Sequence, residues 1–356
     1  MAVKLILIVV TAALALVPLP RAAVERAYAG GVYPLMQPAL TTFSNHAPFA
    51  LFDFVLGAAV VAIAIMWAAG LRGRGPRTRM AIAGRLALDM SVVAAVLYLW
   101  FLAAWGMNYR REPLREQFDF REERITREAL HDLARRNTQA LNALYRDAHD
   151  AGWPELAATP EALRPAFERA QRDLAMPWTA VVGRPKRSVL NFYFTRVSID
   201  GMTNPFFLET LANQTLLPFE RTATVAHEWS HLAGYADESE ANFLAWLVCM
   251  RGDRPAQYSG WLSLYGTVIN ALPRSERDDM IARLDAGPRA DLQAVSDRIR
   301  RHTIPMANRA GYALYDGFLK ANTVDAGIRS YGEVLRLLLG TRFGEDGAPM
   351  RKQGRP

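Results

Sequence analysis

The chain has 356 residues, 51% of them hydrophobic and 22% charged, with a formal net charge of +7. One cysteine excludes an internal disulfide framework; Cys249 stands between Val248 and Met250 in an apolar run, where a buried, inert thiol is expected. Residues 1–109 hold eight basic and three acidic side chains, so five of the seven excess positive charges lie there, and the basic residues of the remainder are spread among acids, which excludes a nucleic-acid surface.

Three apolar segments open the chain, residues 3–19, 49–69 and 86–106, each close to the ~20 residues that a membrane-spanning helix needs. Charge or proline bounds each one, so the bilayer is the first expected partner. Asp53 and Asp89 fall inside or at the edge of the second and third segments. Ionisable groups at that depth are expensive and are expected near an interface or facing the bundle. Between these two segments the chain carries Arg72, Arg74, Arg77, Arg79 and Arg85 with no acid, and short basic loops stay in the cytoplasm. Everything after Gly106 is then expected on the extracytoplasmic side of the membrane, although Arg110, Arg111 and Arg115 pull against this orientation. The first segment, with Lys4 ahead and Leu19-Pro20-Arg21-Ala22-Ala23 behind, also reads as a signal peptide, whose removal would leave the final topology unchanged.

Residues 107–120 are expected to form an extended connector. Thr126 then caps a helix to about residue 150, with Leu130, Leu133, Leu141, Leu144 and Tyr145 at helical spacing, and a second helix runs from Thr159 to about Leu174. Gly183-Arg184-Pro185-Lys186 reads as a turn, and residues 188–199, rich in β-branched and aromatic side chains, as a strand. Residues 201–209 form either a strand edge able to pair with an extended peptide or an ordinary hairpin.

The most informative stretch follows. His227-Glu228-Trp229-Ser230-His231 is an HExxH motif, preceded by an unbroken helical run from Pro218 and followed by Gly234, which suits a left-handed cap. On a helix, His227 and His231 stack one turn apart, while Val225, Trp229 and Leu232 fall on other sides and pack into a core. Two imidazoles with a carboxylate beside them suit a zinc ion (Zn2+) with its general base, Glu228. A third protein ligand is needed, and Asp237, Glu238 and Glu240 compete for it. Asp237 and Glu240 have the form of a capping box on a helix over residues 241–250, which leaves Glu238 in the first turn facing the metal, with Asn242 placed to hold a ligand by a hydrogen bond. Asp237 stays open because HExxHxxGxxD resembles the metzincin pattern with Asp in place of the third His.

Beyond Gly252, residues 261–272 are apolar but too short to span a membrane, and residues 276–302 read as one charged, amphipathic helix. Residues 310–322 and 330–339 make two more helices, and 341–356 a disordered tail. His302 and Tyr331 are candidates for the donor that stabilises a developing oxyanion. His46, His131 and His149 have no metal-like partners in sequence and read as surface or interfacial residues.

The string HEWSHLAGYADESEANF resembles the motif of the bacterial domain-of-unknown-function family 3810, zincin-like integral membrane proteins in which a Glu-x-Glu-Ala-Asn helix follows HExxH. Residues 105–113 and about 190–340 share that likeness. The string is also similar to the membrane gluzincin metallopeptidases with a Glu-x-x-Ala-Asp motif, which implies that Glu238 is the ligand and that Asn242 replaces the Asp. The resemblance implies a mainly α protein: transmembrane helices over residues 1–106, then a zincin-like α+β domain over 107–340 with a small sheet and the HExxH helix. The activity it implies is zinc-dependent hydrolysis of a peptide or protein substrate, with a zinc amidase or esterase acting on cell-envelope material, or an inactive scaffold, as the alternatives.

Overall fold

A computed structural model describes residues 1–71, 76–321 and 333–352. The chain is mainly α-helical with one small sheet. Among the described residues two helices are long and apolar enough to cross a membrane, over Phe52–Ala69 and Met80–Ala104. A third span results if the first helix, Ala2–Leu16, is counted with Arg21–Asn45, from which it bends by 114°. The helix holding the Met80–Ala104 span begins at Pro76, ten residues before the apolar run, because the arginine-rich stretch ahead of that run is itself a good helix former.

Helix Ala2–Leu16 lies along Pro76–Ala104. Lys4 pairs with Asp89 across the contact, so the acid at membrane depth has a cation to face. At its other end Arg110 donates to Leu14 O and Ala15 O, both at 3.0 Å, which satisfies carbonyls that a helix C-terminus leaves open. Arg111 binds Glu25 at 2.7 Å. These two arginines therefore serve protein partners. The expected extended connector is instead a 3-10 turn, Gly106–Arg110, and a one-turn helix, Leu114–Gln117, whose first N–H is taken by Glu240 at 2.6 Å.

Hydropathy passes over helix Tyr33–Asn45, although it belongs to the core. Tyr33, Gln37, Thr41 and Ser44 recur at helical spacing and are all fully buried. This face is polar, and each group on it is bonded: Gln37 to Val181 in both directions (2.8 and 2.9 Å) and Thr41 to Leu208 O at 3.1 Å. Asn45 adds bonds to Val182 O and Arg184 N.

The sheet has three strands, β1 (Pro185–Lys186), β2 (Gly201–Asn204) and β3 (Glu209–Ala212), in the order β1-β3-β2. β1 runs parallel to β3, and β2 pairs with it antiparallel, with Thr203 opposite Thr210. Residues 183–186 are thus no simple turn, and 201–209 is both a hairpin and a sheet edge. Residues 188–199 are a correction as well: Asn191–Val197 is a helix. Phe194 and Val197, three apart, are buried while Phe192 is exposed, a helical and not an alternating pattern. Asp53 starts this element by accepting from Ser188 Oγ at 2.6 Å and Val189 N at 3.0 Å. Beneath the sheet Lys186 and Glu209 form a buried ion pair at 2.7 Å, and Glu209 also accepts from Leu51 N and Phe52 N, capping the start of the Phe52–Leu71 helix.

Helices Arg127–Ala151, Thr159–Asp173, the motif helix Pro218–Leu232, Glu238–Met250 and Arg254–Ala271 form the main core around Trp229, Phe167, Phe243 and Tyr258. Thr126 caps the first of these, accepting from Ala129 N at 3.1 Å, and Cys249 is buried as expected. His149 has a partner after all: its Nε2 lies 2.8 Å from Asp291, which also accepts from Tyr258 at 2.6 Å. Residues 276–302 are split into Arg274–Ala282 and Ala286–His302, since Pro288 would clash with the carbonyl four residues earlier in a continuous helix. Asn142 spans the break, donating to Arg283 O and accepting from Asp285 N, both at 2.9 Å. Helices Pro305–Ala321 and Val334–Gly340 follow. Residues 341–352 are ordered: Thr341 and Arg351 bridge to Phe120 and Phe118, and the Phe343 ring packs on Phe243 and Trp246.

Candidate metal centre

Pro218 occupies the first turn of the motif helix, and Glu220 accepts from Leu217 N at 2.9 Å while Arg298 holds its other oxygen at 2.7 Å. At the far end Gly234 has φ +88°, and a Cβ there would come within 2.7 Å of the Arg111 guanidinium, so the cap requires glycine. Three side chains from the N-terminal part take the last carbonyls: Trp105 bonds His231 O at 3.2 Å, Tyr33 bonds Leu232 O at 2.9 Å and Arg111 bonds Gly234 O at 3.0 Å. Val225, Trp229 and Leu232 are wholly buried, and Trp229 donates to Gly183 O at 2.8 Å. His227 and His231 are thereby left together on one face, ring centroids 4.7 Å apart.

Asp237 caps the next helix, accepting from Ser239 N at 2.8 Å and Glu240 N at 3.3 Å. That sets Glu238 at the first helical position, with Oε2 3.2 Å from His227 Nε2 and 3.7 Å from His231 Nε2. The two Nε2 atoms are 3.1 Å apart. Among the described residues His227, His231 and Glu238 are the group of three that could hold a metal ion, their ligand atoms all within 4.8 Å of one another. Asp237 is engaged in the cap, and Glu240, instead of closing a capping box, accepts from Leu114 N. Burial, with Asp237 adding to it, pushes the Glu240 carboxyl up to about 8.

The chemistry of the three donors is that of a cation site. His231 Nδ1 bonds Tyr235 O at 2.7 Å, which orients the ring with Nε2 aimed at the cluster, where a metal ion would take the place of a proton. Glu238 Oε2 is buried with no hydrogen-bond donor among the described residues. Burial opposes charge on His231, yet Glu238 outweighs it and holds the imidazole up at about 9. Burial would likewise raise Glu238, but His231 and His227 hold it well below the usual carboxylate range.

Glu228 lies beside this cluster, buried against β2. Thr203 Oγ1 donates to its Oε2 at 2.9 Å and contacts its backbone O at 2.8 Å, and a Cβ on Gly201 would fall 2.5 Å from Oε1. Burial raises the Glu228 carboxyl above its ordinary value, against the pull of the two histidines and Thr203. The Tyr315 hydroxyl donates to Glu238 Oε1. Asn242, expected to hold a ligand, makes no side-chain hydrogen bond among the described residues. His302 is exposed on the last turn of its helix and has no hydrogen bond or ring contact with the cluster, while Tyr331 lies outside the described residues. Sequence reasoning did not single out Thr203, Gly201 or Tyr315 as neighbours of the motif, although all three stand in segments that resemble the family.

Residues 28–339 match the family described as protein of unknown function (DUF3810). The chain belongs to this family. The DUF3810 region takes in helix Tyr33–Asn45 and the whole His/His/Glu cluster, and leaves helix Ala2–Leu16 outside it. No curated protein and no solved structure matches the chain.

Proposed function

We propose that this DUF3810 protein is a membrane-anchored, zinc-dependent peptidase of gluzincin type, with His227, His231 and Glu238 as metal ligands and Glu228 as general base. One observation carries the reading. In tetrahedral zinc sites with bonds of about 2.0–2.1 Å, neighbouring donors stand roughly 3.3–3.4 Å apart; the separations here, 3.1, 3.2 and 3.7 Å, bracket that value. Three protein ligands also leave a fourth position free, the mark of a catalytic and not a structural site. When bound, zinc would supply Lewis acidity that polarises a carbonyl and lowers the pKa of water toward about 7.

The chain's own residues do the rest. Glu228 takes a proton from the attacking water and returns it to the leaving amine; burial raises its carboxyl above the ordinary value, which makes it a stronger base than a solvated carboxylate. Thr203 fixes the Glu228 carboxylate, and the absence of a side chain at Gly201 makes room for it. Tyr315 orients Glu238. β2, on the sheet edge next to Glu228, is placed to align an extended peptide by main-chain pairing. The acid-free arginine loop between the two spans favours a centre on the extracytoplasmic side.

Glu228→Gln tests the assignment, because glutamine keeps the shape and the Thr203 bond but cannot accept the proton. Purified variant and wild type should carry equal zinc by metal analysis, while turnover of a peptide library falls by roughly 10²–10⁴-fold. Undiminished cleavage by the variant would remove Glu228 from the role of base.

A further inference from the structure

Helix Pro305–Ala321 carries apolar side chains on its outer as well as its inner side. Gly311 and Leu319 face the protein together with Tyr315, which reaches Glu238. On the opposite side Met306, Ala310, Ala313 and Leu314 form a stripe at helical spacing, with Met306 79% and Leu314 74% exposed. A helix lying against water would carry charge there. The charged groups lie along one border of the stripe and at its C-terminal end, exposed Arg309 and the Asp316–Lys320 pair at 2.6 Å, where long basic side chains can reach the headgroups.

The packed side of this helix leads toward the membrane spans. The helix packs on Asn191–Val197: Ile304 N donates to Arg196 O at 2.9 Å, Asn308 to Val197 O at 2.8 Å, and Gly311 comes close to Tyr193 and Val197. Asn191–Val197 is in turn tied through Ser188 and Val189 to Asp53, in the first turn of a candidate span. Val189 is 70% and Phe192 68% exposed. Around the same end of the spans gather Phe49 and Phe54, rings 5.4 Å apart and both exposed, and Trp100, which donates to Phe206 O. Aromatic side chains of this kind collect where acyl chains meet headgroups.

We propose that the outer face of Pro305–Ala321, with Val189 and Phe192, is embedded in the headgroup boundary of the bilayer, so that the candidate metal centre works on polypeptide presented at the membrane surface. The occupant is lipid because the helix is anchored, through Asn191–Val197, to Asp53 in the first turn of a candidate span, beside the exposed apolar side chains of Val189, Phe192, Phe49 and Phe54. Such a helix sinks roughly 5–10 Å below the headgroups. Tyr315 then couples the two sides of one helix, lipid on one and Glu238 on the other. The substrate half of the proposal rests on the peptidase reading above; the surface half does not.

Full-length protein in phosphatidylethanolamine/phosphatidylglycerol vesicles provides the test. Single cysteines are introduced by Met306→Cys, Leu314→Cys and Phe192→Cys, with exposed Ala143→Cys on helix Arg127–Ala151 as control, and labelled with an environment-sensitive fluorophore; buried Cys249 does not compete. Lipids carrying a nitroxide near the headgroup should quench the first three labels and leave the control bright. Absence of lipid quenching at these positions overturns the proposal, whether emission stays aqueous, meaning a wet face, or shifts to the blue, meaning a protein partner covers it. Quenching is read equally well in the Glu228→Gln protein, so failure of the peptidase reading leaves this readout intact. For the substrate half, Met306→Glu with Leu314→Glu should slow cleavage of a lipid-anchored peptide while sparing a soluble one, and equal loss on both would overturn it.

Discussion

Tyr315 reaches the metal cluster from a helix far along the chain. It stands 77 residues after Glu238, on a helix that reads as ordinary packing, yet its hydroxyl donates to the carboxylate that completes the cluster. Groups that orient a ligand in this way commonly change metal affinity by about 10–100-fold when removed. Tyr315→Phe keeps the ring and removes one hydroxyl, so zinc affinity by chelator competition should fall within that range while thermal stability of the metal-free protein changes little. Unaltered affinity would show that the hydroxyl does not orient the ligand. The other site residues differ in legibility for a plain reason. His227, Glu228 and His231 follow the geometry of one helix, so spacing alone brings them together, whereas Glu238 stands on the next helix and spacing left it in competition with Asp237 and Glu240 until the Asp237 cap set it in the first turn. Thr203 and Gly201 approach Glu228 only because β2 packs across the motif helix, a contact that no local period encodes.

At the level of elements, the capped and periodic helices were legible, and the short ones with long-range partners were not. Thr126 and Pro218 mark the starts of their helices, and Gly234 the end of the motif helix. Residues 188–199 misled because aromatic and β-branched content favours a strand, whereas the decisive forces are the Asp53 bonds at one end and the burial of Phe194 and Val197 three residues apart. The two-residue β1 is too short to announce itself, and what holds it is Lys186. This lysine reaches Glu209 and Ser44 O from a wholly buried position. Lys186→Met would leave the Glu209 carboxylate buried without its cation, a change that costs about 3–5 kcal/mol. Chemical denaturation of the purified variant should show that loss, and Glu209→Gln in addition should restore part of it; a single variant as stable as wild type would mean that water reaches Glu209.

For the molecule as a whole, the apolar segments and the motif suggest a membrane anchor followed by a separate domain beginning near residue 107. The contacts argue for one body. Helix Tyr33–Asn45 precedes the two candidate spans in sequence, but its buried face bonds the stretch around β1, the turn before β3 and the end of the motif helix. Trp105 and Arg111 add two further bonds at that same helix end, and Glu209 caps a span from within the sheet. Cutting the chain at residue 107 would strip partners from Val181, Val182, Leu208, His231 and Leu232, at about 0.5–1.5 kcal/mol net for each lost hydrogen bond, and would uncover to water the apolar surface that Tyr33 and Trp105 close. Several such losses together exceed half of an ordinary folding free energy of about 5–15 kcal/mol. Residues 107–356 expressed alone should therefore aggregate or elute as an expanded species on size exclusion and bind no zinc, whereas the full chain in detergent binds about one ion per molecule. A monodisperse fragment with full metal content would restore the picture of an anchor joined to an independent enzyme, and would place the support for His231 wholly within the residues that follow the spans.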